Sequence, residues 1–324
     1  MWKSPFAALC GLLLALTAAT AQVYPSKPIT LVVPFSAGGP ADTLARMLGE
    51  RMRATLGQSI IVENITGAAG SIGVGRLVRA APDGYTFGIG HLGTNVFNGA
   101  LYNLPYDLVA DLEPIALLPA NSYIIVTRAG VPAKDIKELV AWLKAEPDQA
   151  TVATAGVGSI AHIAALSFQA MTGVPLRIVP YRGGGGALTD VMGGQVTLYF
   201  DQMSSGTLGN YSCGKVRPFA VLANGRLALA PDIPTVDEVG LPGLYASAWY
   251  GLWAPKKTPP EVITKLNQAV VAALADPDLR KRLEEQGAQI PAPDQQTSAA
   301  LAKFQKAEID KWWPIIKSAN IKPE

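Results

Sequence analysis

The chain has 324 residues, with 27 Lys and Arg against 25 Asp and Glu, a balance without the basic excess that nucleic-acid binding requires. Its two cysteines, Cys10 and Cys213, and two histidines, His91 and His162, lack the spacing of a zinc site, and no metal or other cofactor is expected. The 32 glycines and 25 prolines fall at turns rather than in repeats, which describes a loop-rich α/β protein and not a low-complexity one.

At the N-terminus Lys3 precedes the apolar stretch Phe6 to Leu16, and Ala19-Thr20-Ala21 has the small-x-small pattern of a signal-peptidase site. Residues 1–21 are therefore expected to be a cleaved export signal, with Gln22 as the first mature residue. The apolar stretch falls short of the roughly 20 residues a membrane anchor needs. Lipidation at Cys10 is opposed by Leu9, which is not small, and by the cysteine's early position. No later apolar run is long enough to span a bilayer, so the exported chain is expected not to be embedded in the membrane. Cys213, its only cysteine, can form no internal disulfide. At this length two lobes are expected rather than one core.

From Ile29 onward strand and helix signals alternate. Ile29 to Val33 is a β-branched run, Gly38-Gly39 a turn, and Asp42 to Leu56 places Leu44, Met47, Leu48, Met52 and Leu56 in helical register. The unit recurs as Ile60 to Val62 before the glycines of 67–75, and as Tyr85 to Ile89 before Gly93-Thr94. It restarts at the strand Tyr123 to Val126. A helix from Ala133 to Ala145, the strand Thr151 to Thr154, the turn Gly156-Val157-Gly158-Ser159 and a helix to Met171 follow. Leu176 to Pro180, the turn Gly183 to Gly186, a short helix to Met192 and the strand Val196 to Phe200 complete the second unit. After about Trp253 the signals are helical: Pro259 to Leu274, Pro277 to Gln286 and Thr297 to Lys317.

This order predicts an α/β fold of two lobes, each with a mostly parallel sheet. The helical tail has no sheet of its own and is expected to return to the first lobe, so the chain crosses between lobes near 120–125 and again near 243–250. The expected division is 22–122 with 247–324 in the first lobe and 123–246 in the second. A hinged cleft between two such lobes is a place for a small ligand.

Two glycine turns carry the strongest chemical signal. At Ser36-Ala37-Gly38-Gly39 and at Gly156-Val157-Gly158-Ser159, small residues let backbone N–H groups at a helix start approach a ligand, where the helix dipole favours negative charge. Two such turns facing one cleft suit a carboxylate, and no Arg or Lys lies between Lys27 and Arg46 to serve instead. Two catalytic alternatives stand beside this reading. Gly156 to Ala161 matches the G-x-G-x-x-A dinucleotide fingerprint of an NAD-dependent oxidoreductase, but Leu176 to Arg182 lacks the acid that would hold the ribose. Ala69-Gly70-Ser71-Ile72-Gly73 imitates the nucleophile elbow of a hydrolase, with His91 or His162 as the candidate base, yet the preceding 64–68 reads as loop. His162 is more easily a packed or capping histidine than a triad member. Asp201 is expected either at the cleft or as the N-cap of a helix over 202–208, and Trp249, Trp253, Trp312 and Trp313 are expected in the core.

Taken together, Tyr24-Pro25-Ser26-Lys27-Pro28-Ile29, Val33 to Gly39, Ala81-Pro82-Asp83-Gly84-Tyr85-Thr86, Leu104-Pro105-Tyr106-Asp107, Pro180-Tyr181-Arg182-Gly183, Phe200-Asp201, Pro231 to Val236 and Gly251 to Pro255 resemble the tripartite tricarboxylate transporter solute-binding proteins, the Bug or TctC-like family. The resemblance runs through nearly the whole chain after residue 21. It implies a periplasmic, non-enzymatic binding protein that passes a carboxylate to the subunits of a membrane transporter. It also implies ligand contacts at Phe35-Ser36-Ala37-Gly38-Gly39 in the first lobe and at Gly158, Ser159 and Asp201 in the second. Thr94 and Tyr181 complete the expected site. The four glycines 183–186 and the stretch His91-Leu92-Gly93-Thr94-Asn95 depart from the family's common pattern and bear on ligand choice.

Overall fold

The computed structural model describes residues 24–181, 183–203 and 205–321; the expected export signal lies outside them. In the first lobe β1 (Ile29–Val33) leads into α1 (Pro40–Leu56), β2 (Ile60–Asn64), α2 (Ser71–Val78), β3 (Thr86–His91) and α3 (Asn98–Leu101). β1 lies between β2 and β3 and is parallel to both, and Ile29, Leu31, Val32 and Val33 are all buried. α1 begins with Pro40, which needs no N–H partner there, and stops at Gly57 in the left-handed conformation. Its Leu44, Leu48, Met52 and Leu56 fall four apart and form one buried stripe.

β4 (Leu112–Arg128) then enters the second lobe. It is followed by α4 (Ile136–Ala145), β5 (Thr151–Thr154), α5 (Ile160–Thr172), β6 (Arg177–Pro180), α6 (Gly184–Met192), β7 (Leu198–Gln202), α7 (Ser205–Ser212) and β8 (Val216–Val221). β5 is parallel to β6 and β7. The chain returns in β9 (Ser247–Pro255) and ends in α8 (Pro260–Ala275), α9 (Pro277–Glu285) and α10 (Ser298–Ser318).

The sheet is mixed rather than mostly parallel, in the order β2-β1-β3-β9-β4-β7-β5-β6 with β8 on β4. β4 and β9 are antiparallel from Leu112↔Pro255 to Ser122↔Ser247, and from Tyr123 onward β4 pairs instead with β7 and β8. A parallel pair needs a covering crossover, whereas two strands that run between the lobes in opposite senses pair directly. Sequence reading passed over β9 because every one of its residues after Ser247 is buried, which removes the polar alternation that marks a strand.

Of the C-terminal helices, α8 and α9 pack on the β1–β3 side, while the end of α10 also faces α5. Val262, Leu266, Val270 and Leu274 of α8 share a core with Leu44, Leu48 and Met52 of α1. α10 lies over the paired strands β4 and β9. Trp249 and Trp312 both donate their indole N–H to Glu308 (3.0 and 3.1 Å), Trp253 donates to Gln305 (3.2 Å), and Trp313 donates to the Val96 carbonyl (2.9 Å). Trp249, Trp253 and Trp312 are fully buried. The buried Gln305 amide also donates to the carbonyls of Asn95 and Leu108. Replacing Gln305 by Leu orphans the Trp253 donor in a dry core, and stability should fall by at least about 1–3 kcal/mol. Urea denaturation measures this, and an unchanged midpoint would contradict it.

Candidate functional site

A cleft of about 430 Å³ opens at the carboxyl ends of β1, β2, β3 and β5, the edge at which α/β sheets receive ligands. Pro34, Phe35 and Ser36 after β1, the stretch 66–70 after β2, His91 and Gly93 at the end of β3, and Asn98, Leu101 and Tyr102 supply the first-lobe wall. Val157 to Ile160 after β5 form the opposite wall, and Tyr123 stands where β4 changes partner. Among the described residues no Asp, Glu, Lys or Arg belongs to this lining.

The β1–α1 turn is held from below. Asp42, buried in the first turn of α1, accepts from the Gly38 amide, Arg46 Nε and Asn64 Nδ2, each at 2.9 Å, and Asn64 also donates to the Phe35 carbonyl (3.0 Å). The Arg46 hydrogen bond, helped by the Gly38 amide and Asn64 against the opposing effect of burial, holds the Asp42 carboxyl at about 2. The Gly39 amide is given to the Ser36 carbonyl (3.3 Å). The expected anion-binding N–H groups of Gly38 and Gly39 are thus already used, and neither residue lines the cleft. The amides of Ser36 and Ala37 make no hydrogen bond to a described residue.

The second turn is organised by its own helix. The Gly158 amide donates to His162 Nδ1 (2.9 Å), and Ser159 Oγ accepts from the His162 amide (3.2 Å) as the N-cap of α5. His162 is a buried capping residue, and the Ser159 hydroxyl keeps its own proton to donate. Gly158 has φ +75°, and a Cβ there would stand 2.8 Å from Leu101 Cδ1 of the first lobe. The positive φ favours glycine here, and a side chain would also push Leu101 aside.

His91 ends β3. Its Nδ1 accepts from the Thr94 amide (3.1 Å), its own amide donates to Thr94 Oγ1 (3.0 Å), and its ring lies 4.5 Å from Phe35 and 6.0 Å from Tyr250, centroid to centroid. Burial lowers its pKa to about 4, so the imidazole is neutral near pH 7.

Of the expected residues the cleft brings together Phe35, Ser36, Gly158 and Ser159. Ala37 is exposed on the turn outside the lining. Thr94 is fully buried, its hydroxyl given to Asn95 Oδ1 (2.8 Å). Tyr181 donates to Asp190 (2.6 Å) and does not reach the cleft wall. Asp201 lies within β7, so it neither caps α7 nor lines the cleft. Its buried carboxylate accepts from Tyr211 Oη (3.1 Å), and burial lifts its pKa to about 7. Sequence reading placed His91 in a stretch bearing on ligand choice, without naming it as a contact, and left out Asn98 and Tyr123. A strand-end position followed by glycine was the available signal for His91, whereas Tyr123 read simply as strand. Ser71 opens α2 after a 3₁₀ turn, Ala68–Gly70, and accepts from Asn98 Nδ2 (3.2 Å), which is not the strand-to-helix geometry of a nucleophile elbow. Among the described residues no cluster of three or more His, Cys, Asp or Glu could hold a metal, and no helix is long and apolar enough to cross a membrane.

Residues 44–321 match the family model described as tripartite tricarboxylate transporter family receptor. A protein of Agrobacterium vitis, the UPF0065 protein in the TAR-I ttuE-ttuC' intergenic region, is 38% identical over 92% of this chain and 86% of its own. Among solved structures, MatC of Rhodopseudomonas palustris with bound malate superimposes with a TM-score of 0.77 at 38% identity, covering 90% of this chain and all of that one. The periplasmic binding protein BugD superimposes with a TM-score of 0.76 at 37% identity, covering 93% of this chain and 100% of its own. The chain belongs to the tripartite tricarboxylate transporter receptor family, the TctC and Bug solute-binding proteins, and has their two-lobed α/β fold.

Proposed function

We propose that this protein captures a small carboxylate in the cleft, in the periplasm after export, and delivers it without chemical change to a tripartite tricarboxylate-type membrane transporter. The observation that carries the reading is a cleft whose described lining bears neutral donors on both walls and no charged side chain: the Ser36 and Ala37 amides on or beside one, and the Ser159 hydroxyl and the start of α5 on the other. Oriented N–H and O–H dipoles at a helix start suit an anion. The malate bound to MatC is a ligand of this class in a similar protein. The division 22–122 with 247–324 against 123–246 follows the change of partner in β4, which makes β4 and β9 the hinge on which the cleft closes. With the Asp201 carboxylate buried behind Tyr211, a ligand ammonium would find no anionic partner among the described residues of the cleft wall, so hydroxy and plain carboxylic acids are expected to bind ahead of amino acids.

Thermal-shift screening of malate, succinate, citrate, benzoate and aspartate tests this. A ligand at 100 times its dissociation constant adds about 2.7 kcal/mol of stability, a shift of several degrees for a protein of this size. The carboxylates without an ammonium should raise the melting temperature and be recovered unchanged. No shift with any of these acids, a shift confined to aspartate, or conversion of the acid over many turnovers would overturn the reading.

A further inference from the structure

We infer that His91 is a specificity-determining contact of the cleft, its Nε2–H donating to an oxygen of the bound acid while its Nδ1 fixes the ring in place. The inference rests on the carboxylate reading above and assigns to it a side chain of the first-lobe wall.

Three observations converge. The Thr94 amide donates to Nδ1, and a nitrogen that accepts carries no proton, so in the neutral ring the proton is on Nε2. Nε2 finds no acceptor among the described residues, although His91 is part of the cleft lining. The ring is also locked. Phe35 packs against one side, and a Cβ on Gly93 would lie 2.5 Å from Cε1 of His91, so the glycine is the residue that lets the imidazole lie down on the backbone. A donor held in one orientation before the ligand arrives loses little entropy on binding. It selects for oxygen acceptors and against ammonium groups, which have no lone pair to offer. With its pKa lowered by burial to about 4, the imidazole enters this contact as a neutral donor.

Two substitutions separate the functions of the two ring nitrogens. In His91→Asn the side-chain oxygen takes the place of Nδ1 and can accept from Thr94, but nothing reaches the position of Nε2. In His91→Gln the amide reaches the position of Nε2 and the Nδ1 acceptor is lost. Calorimetry is run on whichever of malate, succinate, citrate or benzoate binds the wild type most tightly. The expected result is a roughly ten- to hundredfold loss of affinity in His91→Asn, the range for one hydrogen bond to a charged group, and a loss within about threefold in His91→Gln. The reverse order would show that the ring serves only as an acceptor for Thr94, and equal affinity in all three proteins would show that it does not touch the ligand; either overturns the inference. A measurement on the wild type guards against misfolded variants. With two histidines in the sequence, long-range ¹H–¹⁵N spectra resolve both imidazoles, and the His91 Nε2–H proton should move downfield on saturation. A stationary His91 resonance with bound acid overturns the inference alone, whereas a wild type that binds none of the four acids removes the carboxylate reading and this assignment with it.

Discussion

Valine at position 158 should weaken carboxylate binding on the order of a hundredfold, whereas valine at position 39 should change it by less than about threefold. Gly158 has φ +75°, a conformation that costs a β-branched residue about 1–3 kcal/mol. Its new Cβ would also press on Leu101 across the cleft. The turn can relieve both by rotating, and rotation breaks the hydrogen bond from the Gly158 amide to His162 and swings the Ser159 hydroxyl away. Strain and lost donors together amount to about 2–4 kcal/mol, hence the expected factor. Gly39, at φ −75°, has backbone angles open to any residue, and an added Cβ would lie 3.3 Å from the Ser36 carbonyl oxygen and otherwise in open space. Calorimetry on both variants, with circular dichroism to check folding, decides the matter. Near-equal affinities in folded proteins would remove the second-lobe turn from the site.

The second large effect concerns stability. Asp201→Asn should stabilise the protein at pH 8 by about 2–4 kcal/mol and leave carboxylate affinity unchanged. Burial raises the carboxyl from the ordinary aspartate value near 4 to about 7. The folded chain therefore holds a proton that the unfolded chain releases between those values, and wild-type stability falls as pH rises through this window. The stability contributed by the protonated form is fully present below pH 4 and gone above pH 7. A displacement of this size corresponds to about 4 kcal/mol at most. Asparagine is neutral throughout and still offers an oxygen to Tyr211, so its stability curve should lack this fall. Urea titrations at pH 5 and pH 8 measure the difference. The same decline in both proteins would mean that Asp201 is ionised in the native state, and a loss of affinity in the variant would return Asp201 to the ligand.

The elements that sequence reading found most accurately are those with local causes. β1 and α1 were legible because a five-residue β-branched run, a glycine turn and a four-residue apolar spacing act within one stretch of chain. The tryptophans of β9 were legible as core, but β9 itself was not, because a strand buried on both faces has no alternation to read. The site divides in the same way. Ser36 and Ser159 could be named from turn composition, while His91 required knowing that β3 ends at the cleft beside Phe35, 56 residues earlier in the sequence.

By itself, then, the amino-acid order determined that there are βα units with small-residue turns at their strand ends, since propensity, periodicity and turn chemistry operate between neighbours. Tertiary structure decided which of those turn amides are free to meet a ligand. The amides of Gly38 and Gly158 are taken by Asp42 and His162, each four residues further along, once the helix forms. Asp201 is withdrawn by Tyr211, and the cleft itself exists only where β4 exchanges β9 for β7. The physical reason is that a hydrogen-bonding group has a limited number of partners: helix formation brings Asp42 and His162 under their turns, and long-range packing, such as Asn64 donating to Asp42, fixes them there.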